Sequence, residues 1–262
     1  MPRVAVLVYP GTNSEDETLR ALLAVGLDAE IVHWSRGAAA LRAFDAFVLP
    51  GGFAYEDRVR AGAVAAHDEL TDAVIEAAHA GKYVLGICNG AQVLAEAGLV
   101  PGTGPVRLPS VAFAPNVQGR FLSVHAYVKL AVAPERVPMF ASLAPGAVIP
   151  MWVSHGEGRM LAQPAELERL QRDGHVAFVY CDATGAPIAA PQGSLLGCAG
   201  LTNVAGNVIA IMPHPERDAW TFMHPERDGN SHDATSILAP SGGIIFFEAF
   251  AQAVRSRAGV PA

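Results

Sequence analysis

The chain has 262 residues, of which 51% are hydrophobic and 16% are charged, so it carries enough apolar material for a core and is not expected to be disordered. Its formal net charge of −7 argues against the basic surface that nucleic-acid binding requires. No apolar run approaches the ~20 residues that span a bilayer, and the first apolar segment is too short for a signal peptide. Cys88, Cys181 and Cys198 are widely spaced and form no C-x-x-C pair, which disfavours a disulfide scaffold and a cysteine zinc site and predicts a reducing, cytoplasmic setting.

The first hundred residues alternate between strand and helix patterns. Short apolar runs predict strands over residues 4–8, 29–34, 45–49 and 82–87. Capping residues and apolar periodicity predict helices from Asn13 or Ser14 to about Val25, from about Val59 to Gly81, and over 89–97. Strands separated by helices pair in parallel, so this half is expected to form a layered α/β domain.

Strand patterns dominate beyond residue 100. Strands are predicted over 121–132, 148–153, 176–180 and 208–212, and helices over 164–172 and 243–254. We therefore predict an α/β fold, a three-layer sandwich with a mostly parallel central sheet and a strand-rich antiparallel extension, in one domain over residues 1–262. The polar, His-rich stretch at about 218–240 is predicted to be a long surface loop.

The motif most informative about chemistry is Gly86-Ile87-Cys88-Asn89-Gly90, at the junction of a predicted strand and helix. It is the cysteine form of a nucleophile elbow, in which small residues two before and two after the nucleophile allow a tight turn. The helix dipole would stabilise a Cys88 thiolate, and the N–H of Asn89 would point to a developing oxyanion. The alternative is a buried structural cysteine with incidental glycines.

A histidine and a carboxylate that suit this nucleophile follow the predicted strand 208–212. Prolines flank His214 and restrict its backbone, and Glu216 can hydrogen-bond the imidazole and fix its tautomer. Cys88, His214 and Glu216 thus have the residue types of nucleophile, base and orienting group. Because both segments leave strands at one predicted sheet edge, their separation in sequence is no obstacle.

The sequence His-Pro-Glu-Arg occurs a second time, at residues 224–227. With His232 and Asp233 it is a candidate metal site. However, no two histidines have the i, i+4 helical spacing, and a loop broken by prolines positions metal ligands poorly. The second copy follows no convincing strand. His214 is therefore preferred to His224 as the base, and no metal is expected.

Paired glycines also end the predicted strand 45–49. Gly51 and Gly52 allow the main chain to approach a ligand closely, and an N–H of this turn would be a second oxyanion donor. The alternative is an ordinary turn.

Together these motifs resemble the class I, triad-type glutamine amidotransferases, and more narrowly the glutaminase subunit of phosphoribosylformylglycinamidine synthase. The matching segments are 9–13, 50–55 with Asp57, 60–63, 86–92, 155–159, 192–194 and 212–217, and the resemblance spans most of the chain. Departures from the family pattern occur at Glu56, at Ala190-Pro191 and in the repeated His-Pro-Glu-Arg with its tail.

The resemblance implies a flavodoxin-like fold with Cys88 as nucleophile, His214 as base and Glu216 as orienter. The residues it implies for the glutamine pocket and oxyanion hole are Gly52, Phe53, Asn89, Gln92, His155, Gly156 and Glu157. Glutamine would be hydrolysed to glutamate and ammonia through a cysteinyl thioester. The ammonia would pass to a partner synthase subunit that converts formylglycinamide ribonucleotide plus ATP to formylglycinamidine ribonucleotide in purine biosynthesis.

The same resemblance implies that this chain is part of a complex. A large ATP-dependent subunit and a small accessory subunit are the expected partners, and neither nucleic acid nor a membrane is expected. No G-x-x-x-x-G-K-[ST] phosphate loop is present, so ATP and Mg²⁺ would be used by the partner, with no cofactor bound by this chain. Docking is expected at the strand-end edge near Asn13, Tyr55 and the loop after Arg217.

Three other functions remain open from the sequence. The first is a glutaminase subunit that serves a different acceptor enzyme. The second is an elbow-cysteine stress or binding protein of the DJ-1 type, which would lack the strand-end His-x-Glu found here. The third is a degenerate regulatory subunit that binds glutamine without turnover.

Overall fold

A computed structural model describes residues 1–225 and 237–259 of the chain. Its eleven described strands are β1 (Arg3–Val8), β2 (Asp28–His33), β3 (Ala46–Leu49), β4 (Tyr83–Ile87), β5 (Val111–Ala114), β6 (Leu122–Leu130), β7 (Val148–His155), β8 (Arg159–Ala162), β9 (Val176–Cys181), β10 (Cys198–Thr202) and β11 (Val208–Ile211). The described α-helices are α1 (Glu15–Ala24), α2 (Glu69–His79), α3 (Asn89–Glu96), α4 (Pro164–Arg172) and α5 (Ile244–Arg257).

Five strands form the parallel half of a nine-stranded sheet, in the order β2-β1-β3-β4-β11. The connection from β1 to β2 runs toward one edge of the sheet, and the connection from β3 to β4 runs in the opposite direction. Right-handed crossovers therefore place α1 and α2 on opposite faces. Coverage on both faces explains why β3, β4 and β11 are continuous apolar runs that are buried along their whole length.

The antiparallel half continues the same sheet in the order β11-β10-β9-β6-β7. Its last strand comes back to the parallel half: the N–H of Trp152 donates to the carbonyl of His214 at 3.2 Å, and the N–H of His214 donates to the carbonyl of Trp152 at 2.8 Å. The end of β7 is thereby fixed over the carboxyl end of β11. Strands β5 and β8 form a separate two-stranded sheet.

The predicted fold class is confirmed as α/β with a mixed central sheet, a parallel core and an antiparallel part. The predicted start of the second helix near Val59 is wrong. Val59 has a φ of 75°, and a Cβ on Gly62 would lie 2.6 Å from the N of Val93, so this segment is a loop packed on α3. The helix begins only after Asp68, whose side chain accepts a hydrogen bond from the N–H of Leu70.

The predicted loop at 218–240 is described only in part. Residues 226–236 lie outside the described residues, and the flanking parts contain a short 3₁₀ turn, Thr221–Met223, and a bridge between Trp220 and Pro240. None of the described helices has the length and apolar character needed to cross a membrane.

Candidate active site

Three neighbouring strands end at the same edge of the parallel half. In the register of the sheet, Leu49 of β3 pairs with Gly86 of β4, and Ile87 of β4 pairs with Ile211 of β11. Pro50-Gly51, Cys88 and the segment 212–214 therefore follow three adjacent carboxyl ends. This is the edge at which open α/β sheets bind ligands.

Cys88 occupies the turn between β4 and α3. Its φ of 51° and ψ of −107° are strained values for a residue with a side chain. The flanking glycines are required: a Cβ on Gly86 would lie 2.6 Å from the carbonyl oxygen of Gly90, and one on Gly90 would lie 2.0 Å from that of Leu49. The predicted elbow conformation is present, and its sulfur sits 3.7 Å from the carbonyl oxygen of Ser154, to which the thiol donates.

Gly51 lies between the cysteine and the histidine. A Cβ at this position would be 2.6 Å from Cε1 of His214 and 3.4 Å from Cβ of Cys88. The imidazole and the thiol therefore border one point in space, although the two residues are more than a hundred positions apart in the sequence.

His214 and Glu216 form a buried pair. The carboxylate oxygen Oε1 accepts a hydrogen bond from Nδ1, and Nε2 makes no hydrogen bond to any described residue. Burial lowers the pKa of His214, but the electrostatic and hydrogen-bond interactions with Glu216 and Cys88 outweigh it and raise the pKa to about 10. The ring is thus held with Nδ1 on the carboxylate and Nε2 free for chemistry.

The glycine loop after β3 meets the first turn of α3. The N–H of Phe53 is already used, because it donates to the carbonyl of Gly11 at 2.9 Å. Among the residues described, none accepts a hydrogen bond from the N–H of Gly52 or from that of Asn89, the first residue of α3. These two N–H groups are available to an oxyanion, and the Phe53 amide is not.

The Asn89 side chain ties the loop to the helix. Its Oδ1 accepts from the N–H of Ala54 at 2.9 Å, and its Nδ2 donates to Asp57 and to Gln92 at 3.0 Å each. Gln92 in turn donates to the carbonyl of Glu157 at 2.6 Å. The side-chain amides of Asn89 and Gln92 are both hydrogen-bonded to other protein groups. These two side chains therefore position the loops around the cavity.

Asp57 carries a perturbed carboxyl group in this network. Burial and repulsion from Glu157 raise its pKa to about 6, although the hydrogen bonds from Asn89 and from the N–H of Gly62 oppose the shift. A carboxyl group with a pKa near neutrality, in the same cavity as a thiol and an imidazole, is typical of functional sites.

The turn after β7 forms the opposite wall. His155 is buried, and burial together with the charge of His214 lowers its pKa to about 3, so its ring stays neutral. Asn116 holds the turn: its side-chain amide donates to the carbonyl of His155 at 2.8 Å, and its Oδ1 accepts from the N–H of Gly158 at 3.1 Å. Gln192 and Ser194 support the turn from behind by donating to the carbonyl of Gly158.

These walls enclose a cavity of ≈ 270 Å³. The residues that line it are Asn13, Gly52, Phe53, Asp57, Cys88, Gln92, Phe121, Ser154, His155, Gly156, Glu157, His214 and Arg217. Of the sequence-predicted site residues, only Asn89 and Glu216 are not in the lining, and each contacts a residue that is. The arrangement presents a thiol, an imidazole, carboxylates and a guanidinium to one small ligand.

Comparison with known proteins decides the family. The family model of the CobB/CobQ-like glutamine amidotransferase domain matches residues 1–249. The PurQ subunit of phosphoribosylformylglycinamidine synthase from Symbiobacterium thermophilum is 44% identical over 247 residues, which cover 93% of this chain and 99% of that protein. The chain belongs to the PurQ family of glutamine amidotransferases.

Solved structures agree with this assignment. A chain of the PurLQS structure from Thermotoga maritima has a TM-score of 0.73 and 28% identity to this chain, covering 98% of this chain and 99% of its own. The glutaminase domain of the CTPS of Trypanosoma brucei, solved with bound acivicin, has a TM-score of 0.55 at 14% identity, covers 100% of this chain and 96% of its own, and shows the fold alone.

The family and function predicted from sequence are therefore confirmed. PurQ proteins are the glutamine amidotransferase subunits that supply ammonia for formylglycinamidine ribonucleotide synthesis in purine biosynthesis, and this chain is an enzyme of that kind.

The structure separates the two copies of His-Pro-Glu-Arg. His214 lines the cavity, whereas His224 does not and instead contacts Asp218, with Nδ1 at 3.0 Å from Oδ2. Glu226, Arg227, His232 and Asp233 lie outside the described residues. Apart from Asn13, which was predicted only at the docking edge, five residues that line or support the cavity were not among the predicted site residues: Asp57, Asn116, Phe121, Ser154 and Arg217. For Asp57 and Arg217 a signal existed, since both belong to the motifs that carry the resemblance.

Proposed function

We propose that Cys88, His214 and Glu216 are the catalytic triad of this PurQ-family glutaminase. The observation that carries the proposal is the convergence of Cys88 and His214 on Gly51 at the edge of one cavity, with Glu216 buried behind the imidazole. A raised pKa keeps His214 protonated at neutral pH, so the imidazolium has a proton to give to the leaving nitrogen, and the thiolate is the form of Cys88 that acts as nucleophile.

The charges of the cavity suit the amino-acid end of glutamine. The substrate carries an α-ammonium and an α-carboxylate at one end and a neutral amide at the other. Asp57 and Glu157 are the acidic groups in the lining, and Arg217 is the cation other than the protonated His214. We assign the ammonium to the carboxylates and the carboxylate to Arg217, which places the side-chain amide toward Cys88.

The proposed reaction has two stages, formation of a thioester with release of ammonia and hydrolysis of that thioester. The sulfur forms a bond to the amide carbon, and the carbonyl electrons move to oxygen, which accepts hydrogen bonds from the N–H groups of Gly52 and Asn89. The carbon–nitrogen bond breaks as His214 gives its proton to the nitrogen, which leaves as ammonia. His214 next takes a proton from water, the hydroxide adds to the thioester, and the carbon–sulfur bond breaks to release glutamate and the thiolate.

The remaining assignments concern the complex. The Thermotoga maritima structure is named for three components, and we propose that PurL and PurS are likewise the partners of this chain. ATP and Mg²⁺ are then used by PurL, and the glutaminase reaction proposed for this chain requires no cofactor. We propose that docking occurs at the cavity edge, where Phe53 and Phe121 are half exposed, so that ammonia passes to the partner without reaching solvent.

Two coarser features complete the proposal. We take residues 1–262 as one glutamine amidotransferase domain, in line with a family match over residues 1–249. We place the protein in the cytoplasm, where its three free cysteines stay reduced.

The experiment is a Cys88→Ala variant assembled with its synthase subunits. Glutamine-dependent product formation should fall by at least ~10³-fold, because no nucleophile remains, while product formation from ammonium salts should persist. The matched control is Cys181→Ala, which removes a buried thiol away from the cavity and should retain glutamine-dependent activity. Glutamine turnover by Cys88→Ala near the control rate would remove the nucleophile assignment.

A further inference from the structure

A compact cluster of two histidines and an aspartate lies beside the active site without lining its cavity. His125 projects from β6, Asp218 ends the turn Glu216–Asp218, and His224 opens the second His-Pro-Glu-Arg. Nε2 of His125 is 2.6 Å from Oδ2 of Asp218, and Nδ1 of His224 is 3.0 Å from the same oxygen. All three ligand atoms fall within 4.8 Å of one another.

These distances are close to those of a metal-ligand set. In a tetrahedral site with metal–ligand bonds near 2.0–2.1 Å, neighbouring ligand atoms are about 3.3 Å apart. The two imidazole–carboxylate distances need to lengthen by less than ~1 Å to reach that spacing, and the two imidazole nitrogens, which lie within 4.8 Å of each other, need to approach by no more than ~1.5 Å. Two imidazoles and one carboxylate are also the donor types that Zn²⁺ uses in sites with an open fourth position.

The surroundings of the cluster resemble a supporting shell. The hydroxyl of Ser241 donates to Oδ1 of Asp218 at 2.7 Å and so leaves Oδ2 to face the two imidazoles. The ring of His125 packs edge-on against Trp152, with the centroids 5.4 Å apart. Ligating carboxylates are characteristically hydrogen-bonded in this way, and the ring contact restricts the orientation of the imidazole.

Burial leaves one side of the cluster open. The Asp218 side chain is fully buried, whereas the His125 and His224 side chains are 12% and 21% exposed. A cation can therefore enter from the histidine side, and water can complete its coordination. Each neutral imidazole would then carry its proton on the ring nitrogen that faces away from the cation.

We propose that His125, Asp218 and His224 bind a divalent transition-metal cation of the Zn²⁺ type. The site gives a role to His224, which the proposed glutaminase mechanism does not use. A bound cation links β6 and the segment at 224 to Asp218, two residues after Glu216. Its effect is therefore structural, by fixing the turn that carries the orienting carboxylate.

The test measures metal binding by the untagged full chain. All variants carry Cys88→Ala, because a cysteine and a histidine in the active site can themselves bind zinc. After removal of metal with a chelator, the chain is dialysed against Zn²⁺ alone, and bound zinc per chain is measured by elemental analysis. Co²⁺ serves as a spectroscopic probe, and a site without sulfur should give d–d absorption without a thiolate charge-transfer band.

The expected result is one Zn²⁺ per chain in the Cys88→Ala parent and a rise in Tm on addition of Zn²⁺. His224→Ala should weaken binding by more than ~10-fold and lose the Tm rise, and Ser241→Ala should weaken binding by ~10-fold. His79→Ala, which removes an exposed imidazole at the end of α2, is the matched control and should bind as the parent does.

Two outcomes would overturn the proposal. One is the absence of stoichiometric Zn²⁺ binding by the parent, in which case the cluster is only a hydrogen-bonded network. The other is equal binding by the parent and His224→Ala, which would place the metal elsewhere. Circular dichroism of each variant shows that it is folded, and because His224 lies in a loop, its replacement is the decisive one if His125→Ala fails to fold.

Discussion

At the residue scale, the carboxyl group of Asp57 is the cavity group that should respond to pH in the physiological range. Its pKa is raised to about 6, so it is mostly ionised at about pH 7.5 and mostly protonated at about pH 5. We expect KM for glutamine to rise as pH falls through 6, because the neutral carboxyl no longer attracts the α-ammonium.

The variant Asp57→Asn removes that charge at every pH. Its KM at about pH 7.5 should be roughly tenfold higher, the order of a hydrogen bond to a charged group, and the KM rise near pH 6 should disappear. Asp28→Asn, on β2 at the far end of the sheet, is the matched control and should keep the parent profile. A persistent inflection near pH 6 in Asp57→Asn would assign the titration to another group.

Local motifs were enough to single out Cys88, His214 and Glu216 as candidates, and the structure brings the three side chains together, while their catalytic roles stay a proposal. The elbow needs its two glycines, and the His-x-Glu pair needs only two residues of separation, so both are visible in the sequence. Asp57 and Asn116 could not be found in the same way. Their positions at the cavity depend on how loops 53–62 and 114–120 fold. The spacing of residues within a short motif does not predict the folding of these loops.

At the element scale, the turn after β7 depends on Asn116 rather than on its own residues. We predict that Asn116→Ala raises KM for glutamine and lowers the free energy of unfolding by about 1–3 kcal/mol, because the buried carbonyl of His155 and the N–H of Gly158 lose a partner. Thermal unfolding and steady-state kinetics measure the two effects.

The neighbouring Gln118→Ala is the control for this prediction. Gln118 makes a single exposed hydrogen bond, to the carbonyl of Pro191 at 2.6 Å, and its loss should change neither quantity appreciably. Unchanged KM and stability in Asn116→Ala would show that the turn holds its shape without this residue.

The elements that the sequence missed are short or weakly patterned. Strands β5 and β8 have four residues each, too few for alternation to stand out, and they pair only with each other. Strand β10, Cys-Ala-Gly-Leu-Thr, is buried throughout but contains small residues with low strand propensity. Its place in the sheet comes from its antiparallel neighbours, β9 and β11, rather than from its own residues.

At the scale of the whole molecule, the cavity edge is the expected docking surface. Phe121 is 50% exposed at the cavity, and aromatic residues commonly dominate the energetics of interfaces. We predict that Phe121→Asp weakens association with the synthase subunits by more than ~10-fold, measured by sedimentation of the mixed subunits.

Val204→Asp provides the matched control for docking. Val204 is 62% exposed in the turn before β11, at the edge of the sheet opposite to the cavity. Its replacement introduces the same charge at a remote apolar site and should leave association unchanged. Normal assembly of Phe121→Asp would move the docking surface away from this edge.

The central claim is that Cys88 is the nucleophile and that His214, not His224, activates it. The most direct measurement is mass spectrometry of the assembled enzyme after treatment with a thiol-reactive glutamine analogue. We predict one label per chain, on the peptide that contains Cys88, with labelling lost in His214→Ala and kept in His224→Ala. A label on Cys181 or Cys198, or loss of labelling in His224→Ala with retention in His214→Ala, would contradict the account.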